Sequence, residues 1–362
     1  MANQCFSLAQ WRGDNHPSPC GYSPSRETIT PPPACTPTEG GQYPSGETQE
    51  QFPYFWAMAM RGKWMFKALV QKTLSVLPGS HHLNYLFQRH VTKGVQLSDQ
   101  YFSDKLQHAR DHIRLYRAHT GRNCPSSTIE LGTGWYPIVP FYFYLCGAEN
   151  VMTTDISRHC KPGFALETAR RILDEIPDEP GFQDDRKAQL TAWLQTPKSD
   201  TRTMLSPLGI DYRVGDARQS GLPGDSVEFI HSNNTFEHVY PDILRDILKE
   251  FRRIGKPDGL HSHFIDMSDH FAHMDSSISI YHFLRYSEAQ WKRIDNSIQP
   301  QNRWRLSQYH QLFRETGYQL ITEEIRPGHK AQLEKEPLHS SYTSFDTADL
   351  AVSHAHVLLR SE

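Results

Sequence analysis

No run of apolar residues in this chain approaches the roughly 20 that cross a membrane, so the sequence predicts no transmembrane helix. Cysteine is sparse. The six are Cys5, Cys20, Cys35, Cys124, Cys146 and Cys160, and no two form a C-x-x-C pair. That pattern excludes a disulfide scaffold and points to a reduced, cytoplasmic protein. Positive charge is not in excess: 38 Lys and Arg stand against 41 Asp and Glu, a net charge of -3 with histidines neutral. Binding a phosphate backbone needs a basic face, so no nucleic-acid partner is expected. Met1 to Gln10 lack the basic start and apolar run of a secretory signal. No internal repeat is present.

What is there suffices for a sizeable core, since 362 residues with 37% apolar content fit one large domain or two modest ones. Residues 1–53 hold nine of the 24 prolines among Ser, Thr, Gly and Gln, a composition that predicts a disordered tail. A docking or regulatory arm is the functional alternative. Residues 54–125 read as an N-terminal helical segment. Its apolar stretch, Phe55 to Val70, is interrupted by Arg61, Lys63 and Lys67 at mostly helical spacing. Packing on the main domain is the expected role, with a membrane-surface helix as the alternative.

Residues 126–266 alternate between strand and helix patterns, which predicts an α/β fold with a doubly wound, mostly parallel sheet. Expected strands are 127–131, 151–154, 212–214, 226–231 and 260–265. The best helix pattern starts at Pro241, repeats Ile243, Leu244, Ile247, Leu248, Phe251 and Ile254 on one face, and ends at Gly255. Lys256 to Gly259 then reads as a turn. Residues 267–306 read as an irregular insertion and 307–362 as a last helix with two closing strands, 318–325 and 350–359.

The turn after the first strand is Glu130-Leu-Gly132-Thr-Gly134-Trp-Tyr-Pro137. Two glycines let backbone approach a ligand, and the following helix aims free amides at it. A dinucleotide fingerprint needs a third glycine where Pro137 stands. Glu130 would repel a pyrophosphate but suit an ammonium. The balance favours S-adenosylmethionine, with its ammonium, sulfonium and single carboxylate, over NAD. Asp155 ends the second strand where an acid accepts from ribose hydroxyls. Ile156 follows and can cover an adenine face. Asp216-Ala217 ends the third strand and Asn233-Asn234 the fourth, before the turn to Glu237 and His238.

The segments IELGTGWYP, TTDIS, VGDAR, SVEFIHSNNTFEHV and IGKPDG resemble the class I S-adenosylmethionine-dependent methyltransferases of small-molecule metabolism. The resemblance covers about 127–266. It implies a seven-stranded, Rossmann-like sheet with an antiparallel final strand. It also implies that Glu130, Gly132 and Gly134 hold the methionine part, Asp155 the ribose and Asp216 the adenine. Tyr136 departs from the small residue usual there, so Trp135 and Tyr136 are expected to narrow the methionine end or line the acceptor pocket.

Methyl transfer is an in-line displacement, so the protein mainly aligns acceptor and methyl. An oxygen or nitrogen acceptor also needs a base. His270 is the first candidate, oriented by Asp269 or Asp266, at the carboxyl end of the fifth strand. The segment His261 to Asp275 is rich in possible metal ligands (His263, Asp266, Asp269, His270, His273 and Asp275), but their spacing fits no specific metal motif, so no metal is expected. Aromatics and arginines between Ser277 and Arg305 read as core or as a lid over a small-molecule acceptor, with Arg285, Arg293, Arg303 and Arg305 suited to a carboxylate. The competing readings are a catalytically silent cofactor-binding module and a nicotinamide oxidoreductase.

Overall fold

The computed structural model describes residues 62–75, 96–196, 200–297 and 299–362. The expected tail, 1–53, lies outside the described residues, as do Phe55 to Met60 of the N-terminal apolar stretch. The elements in chain order are α1 (Lys63–Ser75), α2 (Asp99–Thr120), β1 (Ser127–Leu131), α3 (Ile138–Leu145), β2 (Asn150–Asp155), α4 (Pro162–Glu175), α5 (Asp184–Leu194) and α6 (Thr201–Leu205). They continue through β3 (Ile210–Val214), β4 (Val227–Asn233), α7 (Pro241–Ile254), β5 (Gly255–Asp266), α8 (Glu288–Ile294), α9 (Leu306–Glu315), β6 (Tyr318–Arg326), α10 (Lys330–Leu333), α11 (Thr347–Ala351) and β7 (His354–Ser361).

The strands form one seven-stranded sheet in the order β3-β2-β1-β4-β5-β7-β6. β1 to β5 are parallel, and β7 runs antiparallel to both β5 and β6. The chain reverses its progression across the sheet between β1 and β4, where α/β sheets open a crevice for ligands.

Each face of the sheet is covered because its helices carry an apolar stripe. α2 to α5 cover one face, where Tyr116, Phe141, Phe143, Leu190 and Phe229 are buried. α7 and α9 cover the other, with Ile247, Phe251, Tyr309 and Phe313. In α7, Pro241 occupies the first turn, and all six apolar residues predicted for its inner face are buried. α2 is bracketed by local chemistry: the Ser98 hydroxyl accepts from the Tyr101 amide, and Gly121 closes the helix at φ 70°.

Three elements differ from expectation. The Lys256–Gly259 turn is part of β5, because Gly255 already pairs with Val227 and the ladder shifts register before Phe229. Gly259 permits this: a Cβ there would lie 3.0 Å from the Glu228 carbonyl oxygen. The last strand starts at His354 rather than 350, since Asp346 caps a short helix over Thr347–Ala351. The segment 267–306 is not wholly irregular: it contains α8, opened by a capping box between Ser287 and Gln290. Its aromatics form a third core with α1, in which Trp64, Phe271, Tyr281, Phe283 and Trp291 are buried. Trp64 also donates its amide to Asp275 Oδ2 at 3.0 Å. α1 therefore packs inward, although Phe66 faces outward. No described helix is long and apolar enough to cross a membrane.

Candidate functional site

The glycine turn sits at the carboxyl end of β1. Gly132 and Gly134 take φ values of 89° and 69°, which side-chain-bearing residues rarely adopt. A Cβ on Gly132 would collide with the Thr235 hydroxyl, so the turn passes directly against the β4 turn. Gly134 donates its amide to Asp155 Oδ2 at 3.1 Å, and Ser157 donates to Oδ1 at 3.3 Å. A carboxylate offers about four acceptor sites, so these bonds leave capacity for ribose hydroxyls. Ile156 and Ala217 are buried beside it, on the α7 side of the sheet.

Glu130 is 3% exposed and accepts from the Thr153 hydroxyl at 3.0 Å. Burial pushes its carboxyl up to about 7, and the Lys105 charge opposes the rise. Lys105 comes from α2 and donates to the Asn233 carbonyl at 3.4 Å. Burial lowers its ammonium to about 8, against the pull of Glu130 and Glu237. A buried acid with a nearby ammonium, beside a turn that lacks side chains at Gly132 and Gly134, fits a ligand that carries both a carboxylate and an ammonium. The residues present therefore suit the amino-acid end of S-adenosylmethionine.

Asp216 is less free than the sequence suggests. It caps the turn at Ala217 and pairs with Arg218 at 2.6 Å, so an adenine amine would share it with a guanidinium. Asn233 is turned into the core, where its Oδ1 meets His112 Nε2 at 2.9 Å. Its neighbour Asn234, held at φ 50°, faces the cavity instead. Trp135 and Tyr136 are buried too. Tyr136 packs against Phe164 and Tyr101 and lines no part of that cavity.

The cavity, about 320 Å³, opens beyond β4 and β5. Lys105, Asn234, His238, Asp266, His270 and His273 are among its lining residues. His270 Nε2 lies 3.3 Å from Asp266 Oδ2, while His354 Nε2 lies 3.4 Å from Oδ1. Burial would raise the Asp266 carboxyl, but His354, His270 and His273 together hold it well below the usual range. His238 is lowered to about 3 and His273 to about 4, mainly by burial. Glu237 is raised well above the carboxylate range, by burial first and by the Asp266 charge second.

Of the two expected partners for His270, only Asp266 reaches it. Asp269 is fully buried and turned away: its Oδ1 accepts from the Phe271 amide and its Oδ2 lies 3.5 Å from His282. The histidine-rich segment is likewise split. His261 and His263 point to the α7 face, where they pack on Tyr318 and Phe236. Asp275 ties down α1. The arginines expected for a substrate carboxylate are largely structural. Arg303 pairs with Glu288 and Arg285 with Glu336, and buried Arg305 donates to the Met267, Leu350 and Val352 carbonyls. Sequence reasoning missed Lys105 and gave Glu237 and His238 no role. The bracketing Ser98 and Gly121 were the signal that could have placed Lys105 on a helix.

The family described as "Methyltransferase domain" matches residues 185–262, from α5 into β5. No curated protein matches the chain in sequence. Similar solved structures include a protein of Pyrococcus horikoshii, 13% identical, with a TM-score of 0.42, covering 76% of this chain and 98% of that one. An S-adenosylmethionine-dependent methyltransferase of Mesorhizobium loti is 13% identical, with a TM-score of 0.38 over 74% of this chain and 99% of its own. One from Methanosarcina mazei is 10% identical, with a TM-score of 0.40 over 68% and 96%.

Proposed function

We propose that this chain is an S-adenosylmethionine-dependent methyltransferase of class I, and that it methylates an oxygen, nitrogen or carbon of a small molecule held in the cavity beside His270. The observation that carries this reading is placement. The cavity adjoins the glycine-turn site, because Lys105 lines the cavity and also acts on Glu130.

Bound S-adenosylmethionine would supply an electrophilic methyl on a sulfonium. Glu130 would face its ammonium, Gly132 and Gly134 would admit its methionine part, Asp155 would accept from its ribose, and Ile156, Asp216 and Ala217 would border its adenine. On the acceptor side, His270 receives the proton of a hydroxyl or amine, and Asp266 fixes the ring and stabilises the imidazolium that results. Residues 267–306 contribute His270 and His273 to the cavity lining.

The test combines binding with product identification. Calorimetry on the full chain should show saturable binding of S-adenosylmethionine. Incubation with methyl-labelled cofactor and cell extract should then place label in a small-molecule fraction. Label confined to protein or RNA would overturn the acceptor class. Tight cofactor binding with no transfer to any fraction would instead mark a silent binding module.

A further inference from the structure

The cavity lining and the buried residue beside it, Glu237, bring together five potential metal ligands that no single stretch of sequence contains. Glu237 and His238 come from the turn after β4, and Asp266, His270 and His273 from the end of β5 and beyond. They form two triads that share His270: Glu237 with His238 and His270, and Asp266 with His270 and His273. Within each triad the ligand atoms lie within 4.8 Å of one another. We propose that this cluster binds one divalent transition-metal ion, with Glu237, His238, Asp266 and His270 as its ligands and His273 at its edge.

Three observations support the assignment. First, each triad is two imidazoles and one carboxylate, a donor set that suits zinc, manganese or iron(II) with coordination positions left open. Second, Glu237 is 2% exposed, yet neither of its oxygens has a hydrogen-bond partner among the described residues. A carboxyl buried in that condition stays ionised only if a cation meets it, and otherwise holds its proton. Third, His238 Nδ1 lies 2.7 Å from the Pro300 carbonyl oxygen. A carbonyl only accepts, so Nδ1 carries the hydrogen and Nε2 keeps the lone pair a metal needs. His273 is at the edge because its Nε2 already meets the Ser268 hydroxyl at 3.0 Å.

This inference rests on the methyl-transfer reading and changes what His270 does within it. With an ion in place, His270 is a ligand, and the ion's open positions face the cavity. An acceptor hydroxyl bound there would be held close and ionise more readily, because the metal stabilises the oxyanion. The acceptor class narrows to molecules with an oxygen or nitrogen donor able to bind a metal. The competing cations are Lys67 of α1, close enough to act on both His238 and His273, and Lys105 of α2, which acts on Glu237.

Cobalt(II) titration of the chelator-stripped full chain tests the proposal, followed by visible absorption and calorimetry, with S-adenosylmethionine binding measured in parallel. The expected result is about one cobalt per chain with ligand-field absorption bands. Glu237→Gln and His270→Ala should each weaken binding roughly 10- to 100-fold while cofactor binding persists. A chain that binds the cofactor but no cobalt would overturn the proposal. So would cobalt affinity unchanged in both variants, or cobalt binding seen only after Lys67→Met. Cobalt binding without cofactor binding would sustain the metal site and remove the methyltransferase reading.

Discussion

Gly134 donates its amide hydrogen to the carboxylate of Asp155 across 3.1 Å, so the glycine turn and the acid that ends β2 are one hydrogen-bonded unit. Asp155 therefore shapes the turn, and in the proposed cofactor site it would also accept from the ribose. Asp155→Ala should weaken S-adenosylmethionine binding by roughly 10- to 100-fold, the equivalent of one hydrogen bond to a charged group. Calorimetry checks it. Unchanged affinity would show that the ribose is held elsewhere.

Cofactor affinity should rise as pH climbs through about 7, the value to which burial lifts Glu130. Below it the carboxyl is neutral and does not attract an ammonium; above it the carboxylate does. Glu130→Gln should flatten this part of the profile. A wild-type dissociation constant that matches the variant's at every pH would remove Glu130 from the ammonium site.

His270→Ala should depress turnover by roughly a hundredfold or more, the usual worth of a positioned base. Cofactor affinity should stay near wild type, since His270 lines the cavity and not the glycine turn. Single-turnover kinetics with a confirmed acceptor would measure the loss. Full activity would take His270 out of the mechanism.

Acid should destabilise the fold early. His112, His231 and His263 are wholly buried and held well below the ordinary histidine value, chiefly by desolvation. The unfolded chain takes up their protons below about 6.5, while the folded chain does not. Stability is thus present above that pH and lost as pH falls through it, by about 1.4 kcal/mol per pH unit for each such histidine. Thermal unfolding followed from neutral to mildly acidic pH would show the slope. A melting temperature flat across that range would contradict it.

The sheet and the glycine turn were legible because their signals are local. The α7 stripe, the Gly132–Gly134 spacing and the acids at strand ends each occupy a few adjacent positions. What the sequence hid depends on which strands become neighbours. Glu237 meets His270 only because β4 lies beside β5. Lys105 reaches Glu130 only because α2 crosses the β4 end. The same limit misdirected the arginines: Arg303 and Arg305 read as substrate contacts until their carbonyl and carboxylate partners were in place. The Lys256–Gly259 segment has strong turn chemistry, but pairing of Gly255 with Val227 overrode it.

The position of β7 has a consequence for how the chain is made. β7 is inserted between β5 and β6, both of which leave the ribosome first. Until it arrives, β5 presents an open row of backbone donors and acceptors, and β6 has no strand to pair with. The nascent chain thus carries a sticky edge late in synthesis, which β7 seals on both sides in a single step. A stop codon before His354 would make that edge permanent, and such a product would aggregate rather than fold to a smaller enzyme.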